Sequence, residues 1–237
     1  MTGDLSDGTF LPLGTTVDER ESTSTVALLP IGSFEQHGAH LPLATDTVIA
    51  CTIVRAIAET HRVRRLPPIT ISCSHEHAAW PGTVSISAAT LAAVVRDIGA
   101  SVRRAGVTKL VLVNGHGGNY VLGNIVQEST VDEPWMALFP GEAEWSAARD
   151  AAGLATSMVT DMHAGELETS ILLHAHPHLV TPGYATSDHR ADDRRHLLTR
   201  GMQAYTTSGV IGRPSLASAE KGRALLASLV GSFAELL

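Results

Sequence analysis

The fifteen-residue segment GSFEQHGAHLPLATD, at positions 32–46, is the feature that most constrains this chain. It follows an apolar run at 26–31 that has the length and the flanking glycine of a buried strand. Gly32, Gly38 and Pro42 exclude a regular helix through most of the segment. Its polar side chains are therefore predicted to lie on a loop at a strand end, where open α/β sheets bind their ligands.

The polar residues of this loop suit a divalent metal ion. Glu35 and His37 are two positions apart, which directs both side chains to one side of an extended backbone. His40 and Asp46 follow in the same stretch. A carboxylate and an imidazole on one side, with a second carboxylate nearby, form a donor set for zinc, manganese or iron. The alternative is a solvated loop, because Glu-x-His by itself arises often by chance.

The composition excludes several classes of protein. A chain of 237 residues with net charge −7 and no long basic stripe predicts one large domain that does not bind nucleic acid. We place the domain at 25–237 and a flexible N-terminal segment at 1–24. No basic and apolar leader is present, and no apolar run approaches the roughly 18 residues that a membrane span needs. These features predict a cytoplasmic protein without a membrane partner, and two cysteines do not make a disulfide framework.

Polar residues also follow the next predicted strand, Leu66 to Cys73. The segment SHEHAAWPGTVSIS continues from it and contains a second polar cluster at 75–77. The Pro81-Gly82 pair indicates a tight turn that positions this loop. We therefore interpret the cluster as part of the wall of a pocket and favour this over direct metal binding.

A third predicted strand, Lys109 to Val113, runs directly into NGHGGN. Glycines at such a turn permit close approach of the backbone and positive φ angles. A phosphate-binding turn is the competing interpretation, but the Lys and Ser/Thr of a P-loop and the spacing of a dinucleotide fingerprint are missing. His116 at this strand end fits a metal ligand better.

Apolar periodicity predicts helices between and after these strands. They are expected at residues 45–60, 88–105, 141–152, from about 164, and from 218 onward, with a fourth strand at 135–139. A helix beginning near Ala164 places Glu168 on the apolar face that carries Ile171 and Leu172. An unpaired carboxylate on that face would be costly, so a metal partner is the simplest explanation. We interpret the histidines near the end of this helix, at 174, 176 and 178, as surface or capping residues.

Five candidate metal ligands result, all able to reach one end of a parallel sheet: Glu35, His37, Asp46, His116 and Glu168. A single catalytic metal that keeps an open position needs fewer ligands than this. Five ligands instead suit two metals that share a carboxylate.

GSFEQHGAHLPLATD, NGHGGN and HAGELETS, in this order, resemble the creatininase (creatinine amidohydrolase) family over roughly residues 26–237. The resemblance implies a three-layer α/β/α fold with a mostly parallel sheet, and a homo-oligomer of six or eight chains. It also implies two divalent metal ions per chain, zinc, iron or manganese. One would be held by Glu35, Asp46 and His116, and the other by His37, Asp46 and Glu168.

The same resemblance implies the reaction, which is hydrolysis of an amide bond by a metal-bound water. His163 would transfer the proton. The backbone N–H groups of Gly117 and Gly118, together with His77, are candidates for contacting the substrate or its oxyanion. A non-catalytic metal-binding protein remains an alternative, but His163 and the number of carboxylates argue against it.

The substrate class follows from finer features of the motifs. HEHAAWPGTVSIS and GVIGRPSLASAEKG most resemble the mycofactocin branch of the family, a peptidase that releases a modified C-terminal Val–Tyr from a ribosomally made precursor peptide. Creatininase itself has Tyr-Glu at the positions of Gly117 and Gly118, and a tryptophan at the position of Val159, which disfavours creatinine. The alternative substrate is a small cyclic amide or formamide, creatinine-like or a formamidopyrimidine nucleotide.

Overall fold

The structure is a computed structural model that describes residues 10–237. Its strands are β1 (Val26–Ile31), β2 (Arg64–Arg65), β3 (Lys109–Asn114) and β4 (Met136–Phe139). Its α-helices are α1 (Thr16–Glu21), α2 (Thr45–Thr60), α3 (Ala88–Arg104), α4 (Val121–Ser129), α5 (Glu142–Ala151), α6 (Glu166–Ala175), α7 (Leu197–Arg200) and α8 (Ala219–Phe233). None of the helices in this part of the chain has the length and apolarity of a membrane span.

The four strands form one parallel sheet in the order β2-β1-β3-β4. In the register between β1 and β3, Ile31 pairs with Asn114. Both strands therefore end at the same edge of the sheet, as parallel strands in register must. The loop after β1 and the NGHGGN turn after β3 leave this edge side by side.

Alternate residues of the central strands face two separate hydrophobic layers. Leu28, Val111 and Val113 pack with α2, α5, α6 and α8 on one side of the sheet. Leu29 and Leu112 face the opposite side, where they pack with α3 and α4. Helices on both sides of a parallel sheet confirm the predicted three-layer α/β/α fold.

The predicted strand from Leu66 to Cys73 is wrong. Pairing with β1 is limited to Arg64–Arg65 and one isolated bridge between Ile31 and Ile69. Pro67 and Pro68 explain the interruption, because proline has no backbone N–H to donate to a neighbouring strand. The segment still runs along the sheet edge and delivers residues 74–77 to the site.

The N-terminal segment contains a helix that the sequence did not predict. Within the interval 1–24, α1 begins after Thr15, whose side chain accepts from the Asp18 N–H while the Asp18 side chain accepts from the Thr15 N–H. This reciprocal capping stabilises the first turn. Residues 1–9 lie outside the described part of the chain, and the flexible segment stays a prediction there.

Candidate metal centre and catalytic cavity

The five predicted ligands lie together at the carboxyl edge of the sheet. They form two groups of three in which the donor atoms are all within 4.8 Å of one another: Glu35, Asp46 and His116, and His37, Asp46 and Glu168. Asp46 belongs to both groups because the first turn of α2 places it between the two loops. These are the two ligand sets that the family resemblance implied.

Asp46 is flanked by two imidazoles. Its Oδ1 lies 3.0 Å from His37 Nε2, and its Oδ2 lies 3.0 Å from His116 Nδ1. The other ring nitrogens face backbone carbonyls, those of Glu35 at 3.0 Å and of Cys73 at 2.8 Å. A carbonyl only accepts, so in each neutral ring the nitrogen toward Asp46 carries a lone pair. A nitrogen lone pair and a carboxylate oxygen repel each other, so positive charge is needed between each imidazole and Asp46. Two divalent ions that share Asp46 as a ligand would supply this charge.

Glu35 needs a nearby positive charge even more than Asp46 does. Its side chain is fully buried, and neither carboxylate oxygen has a hydrogen-bond partner among residues 10–237. Imidazole nitrogens of His77 and His116 lie 3.3 Å away, beyond good hydrogen-bond range. A buried carboxylate without hydrogen bonds is costly, and its environment therefore suits a bound cation.

The electrostatics of the cluster agree with this interpretation. Burial, followed by repulsion from Asp46, raises the pKa of Glu35 to about 7. Burial lowers the pKa of His37, but Asp46, Glu168 and Glu35 together outweigh burial and raise the value to about 9. Burial also raises the pKa of Glu168 to about 7. The carboxylates need nearby positive charge, which protonated imidazoles supply and divalent ions can replace.

Glu168 reaches the cluster from a helix that begins later than predicted. The sequence placed the helix start near Ala164, but α6 begins at Glu166 because Ala164 has a left-handed φ of 52°. The Ala164 N–H donates to Glu168 Oε2 at 2.6 Å, so a metal is not the only partner of this carboxylate, contrary to the sequence argument. The same oxygen lies 4.0 Å from His37 Nε2.

His163 is buried beside the ligands. Its Nε2 donates to the Gln36 carbonyl at 2.6 Å, which leaves the Nδ1 lone pair facing Glu35 Oε1 at 3.7 Å. Burial, followed by the neighbouring imidazoles of His37 and His77, holds its pKa well below the usual range. The low pKa keeps the ring neutral, so Nδ1 is a free acceptor nitrogen beside the cluster.

His77 lies on the other side of Glu35, and its tautomer is set by Gln36, a residue that the sequence analysis did not single out. Gln36 Oε1 accepts from the Gly38 N–H at 2.9 Å, so its Nε2 donates to His77 Nδ1 at 2.9 Å. The His77 proton is therefore on Nε2 and points toward Glu35. Burial lowers the pKa of His77 to about 3, which keeps it neutral. The predicted contact of His77 with substrate stays a prediction.

Asp161 is a further residue that sequence reasoning missed. Its Oδ1 accepts from the Glu166 N–H at 2.6 Å, and its Oδ2 accepts from the Leu167 N–H at 3.1 Å and Arg149 Nη2 at 3.0 Å. It thus caps α6 from five residues before the helix begins and fixes the intervening turn, which carries His163. The only signal in the sequence is an aspartate shortly before a helix start, which is a common feature of caps.

We expect Asp161→Asn to destabilise the protein by about 3–5 kcal/mol, the usual cost of breaking a buried ion pair. The neutral amide of the variant would leave the Arg149 guanidinium buried without a counter-charge. Chemical unfolding with and without the substitution measures the difference. Asp188→Asn is the matched control, because Asp188 caps the Ser215 N–H at 2.9 Å but is 33% exposed. If Asp161→Asn lowered the free energy of unfolding no more than the control does, Asp161 would not be the buried counter-charge of Arg149.

A cavity of about 620 Å³ opens directly onto the cluster. His116, His163 and Glu168 form its inner wall, and Gly117 lies beside them. The apolar part of the remaining wall comprises Ile49, Leu138, Pro140, Trp145, Met158, Met162 and Leu167, and the polar side chains Asn114, Glu142, Arg149 and Asp161 also contribute. The arrangement places an acceptor nitrogen and a candidate two-metal centre at one end of an apolar chamber.

Comparison with known proteins gives a consistent result. The model of the creatininase (creatinine amidohydrolase) family matches residues 14–237. The mycofactocin precursor peptide peptidase of Mycobacterium ulcerans (strain Agy99) is 37% identical over 232 residues, which are 92% of this chain and 87% of that protein.

Solved structures with the same fold include a candidate creatinine amidohydrolase from Bacteroides fragilis NCTC 9343. It is 27% identical, covers 94% of this chain and 92% of its own, and superposes with a TM-score of 0.78. A structure described as "Creatininase Mn" is 23% identical, with 89% of both chains covered and a TM-score of 0.76. The second likeness shows the fold alone.

Proposed function

The chain belongs to the creatininase family of amide-bond hydrolases, and on this basis we propose that it is a two-metal peptidase. Its substrate is the mycofactocin precursor peptide, from which it releases the modified C-terminal Val–Tyr. The name of the Mycobacterium ulcerans relative supports this substrate. The observation that carries the proposal is the large apolar cavity against the candidate metal centre.

The size of the cavity favours a peptide over a small amide. At about 620 Å³ it lies in the middle of the range for ligand pockets, roughly 300–1,000 Å³. A single small ring would leave most of this volume unfilled. Its apolar wall matches the valine methyls and the aromatic ring of a Val–Tyr end.

The centre is proposed to hold two divalent ions, with Asp46 between them. Glu35 and His116 complete one ligand set, and His37 and Glu168 complete the other. Bound divalent ions lower the pKa of water toward neutrality and polarise a carbonyl. The carboxylate and imidazole donors of this set accept zinc, iron or manganese.

The protein residues supply the remaining chemistry. His163 Nδ1 is placed to accept a proton at the cluster and to return it to the amine that leaves. The N–H groups of Gly117 and Gly118, together with His77, are proposed to contact the substrate or its oxyanion.

The decisive experiment uses the purified enzyme and two substrates. Synthetic precursor peptide carrying the modified Val–Tyr end is incubated with metal-loaded enzyme, and the products are identified by mass spectrometry. We expect the Val–Tyr fragment to be released, no turnover of creatinine, and no cleavage after chelation. Rapid hydrolysis of creatinine or of a formamide without peptide cleavage would replace this proposal with the small-amide alternative.

Two further properties of the proposal come from the sequence analysis. They are a homo-oligomer of six or eight chains and a cytoplasmic location. Sedimentation of the active enzyme tests the first of these. A fully active monomer would contradict it.

A further inference from the structure

We infer that the precursor peptide crosses the metal centre over the Gly117–Gly118 turn and occupies two cavities. The released end lies in the cavity of about 620 Å³ beside His116 and His163, called the catalytic cavity below. The chain upstream of the scissile bond lies in a second cavity, whose wall is more polar than that of the first. The inference rests on the proposed peptidase function and extends it, since it assigns a binding site to the upstream part of a polypeptide substrate.

The second cavity has a volume of about 450 Å³. Its wall includes Glu76, Ala88, Thr199, Arg200 and Gln203. It comes close to the centre through Glu76, whose Oε1 lies 3.4 Å from His116 Nε2. Both cavities therefore border the candidate centre, the first at His116 itself and the second at Glu76 beside it.

The turn after β3 forms the boundary between the cavities. Gly117 lines the catalytic cavity, Gly118 lines the second cavity, and the exposed side chain of Tyr120 lines both. A Cβ atom added at Gly117 would have no atom within 4 Å. The space next to Gly117 is thus unfilled, and an extended chain can pass over the turn beside His116.

The chemistry of each cavity sets the direction of the chain. Upstream polypeptide carries N–H and C=O groups at every residue, which need polar partners. Arg200, Gln203 and Glu76 supply donors and acceptors in the second cavity. The catalytic cavity instead offers Trp145 and Met162, which suit the apolar product end. An enzyme for a small amide has no use for the second cavity, whereas an enzyme that cuts within a chain needs space on both sides of the bond.

The test compares a full-length precursor with a short substrate that has the same C-terminal end and one acetylated residue upstream. Ala88→Trp fills the second cavity from the first turn of α3 without removing a polar contact. We expect it to lower kcat/KM for the full-length precursor by about tenfold or more, and the value for the short substrate by less than about twofold. Arg200→Ala is expected to raise KM for the full-length precursor alone.

Ala100→Trp is the matched control, because Ala100 is an exposed residue of the same helix, about three turns away from Ala88. Ala100→Trp should leave kcat/KM unchanged for both substrates. Equal losses with both substrates in Ala88→Trp, or no loss with either, would overturn the two-cavity path. If the wild-type enzyme cleaves neither peptide, the proposed function itself fails, and this result is distinct from a length-independent effect of Ala88→Trp.

Discussion

His163→Asn is expected to keep both metal ions and to lower kcat by about 10²–10⁴, the usual effect of removing a positioned general acid or base. The reason is the free Nδ1 lone pair, which lies 3.7 Å from Glu35 Oε1 at the inner wall of the catalytic cavity. Asparagine has no nitrogen that accepts and returns a proton near neutral pH. Metal analysis of the purified variant and turnover of the precursor peptide measure the two parts of this prediction.

His40→Asn is the control for a packing effect. His40 is also buried, and its Nε2 donates to a backbone carbonyl, that of Ala164, at 3.1 Å. Its loss should reduce stability and change kcat much less. Undiminished turnover in His163→Asn would leave only a packing role for this histidine. Loss of a metal ion would instead make it a ligand, a possibility that its grouping with Glu35 and His37 allows.

The sequence predicted the parts of this molecule that depend on local pattern. β1 is a continuous apolar run closed by Gly32, and α2 follows a regular apolar periodicity, so both were predicted with their observed bounds. Because strands in a parallel sheet end at one edge, Glu35 and His116 could be expected to meet although they are far apart in the chain.

The features that were missed depend on contacts between distant segments. Gln36 sets the tautomer of His77 only because the fold brings the two side chains within 2.9 Å. His176 was expected at the surface or as a cap, and it is the C-cap residue of α6, but its side chain is buried, with Nε2 2.9 Å from Thr52 Oγ1. Periodicity along one segment contains no information about such partners. The strand predicted at 66–73 is interrupted for a local reason, because Pro67 and Pro68 have no backbone N–H to donate to β1.

Asp46→Ala is expected to have the largest effect of any single substitution at the centre, with the loss of both metal ions and of measurable peptide cleavage. Each of its oxygens faces a different imidazole, at 3.0 Å from His37 and 3.0 Å from His116. Of the two ligand sets that share Asp46, Glu35→Ala and Glu168→Ala each remove a ligand from one set only. These variants should therefore retain about one ion per chain, and metal analysis of the three proteins separates the outcomes.

Unfolding measurements provide an independent test of the bridging position. A ligand that binds only the native state stabilises it by about 2.7 kcal/mol when its free concentration is 100 times its Kd. Added metal should stabilise wild-type protein from which a chelator has removed the metal. Glu35 and Glu168 then gain a counter-charge in their buried surroundings. The free energy of unfolding of Asp46→Ala should not change when metal is added at the same concentrations. A variant that keeps its native metal content, or is stabilised by metal as strongly as the wild type, would show that Asp46 does not join the two ligand sets.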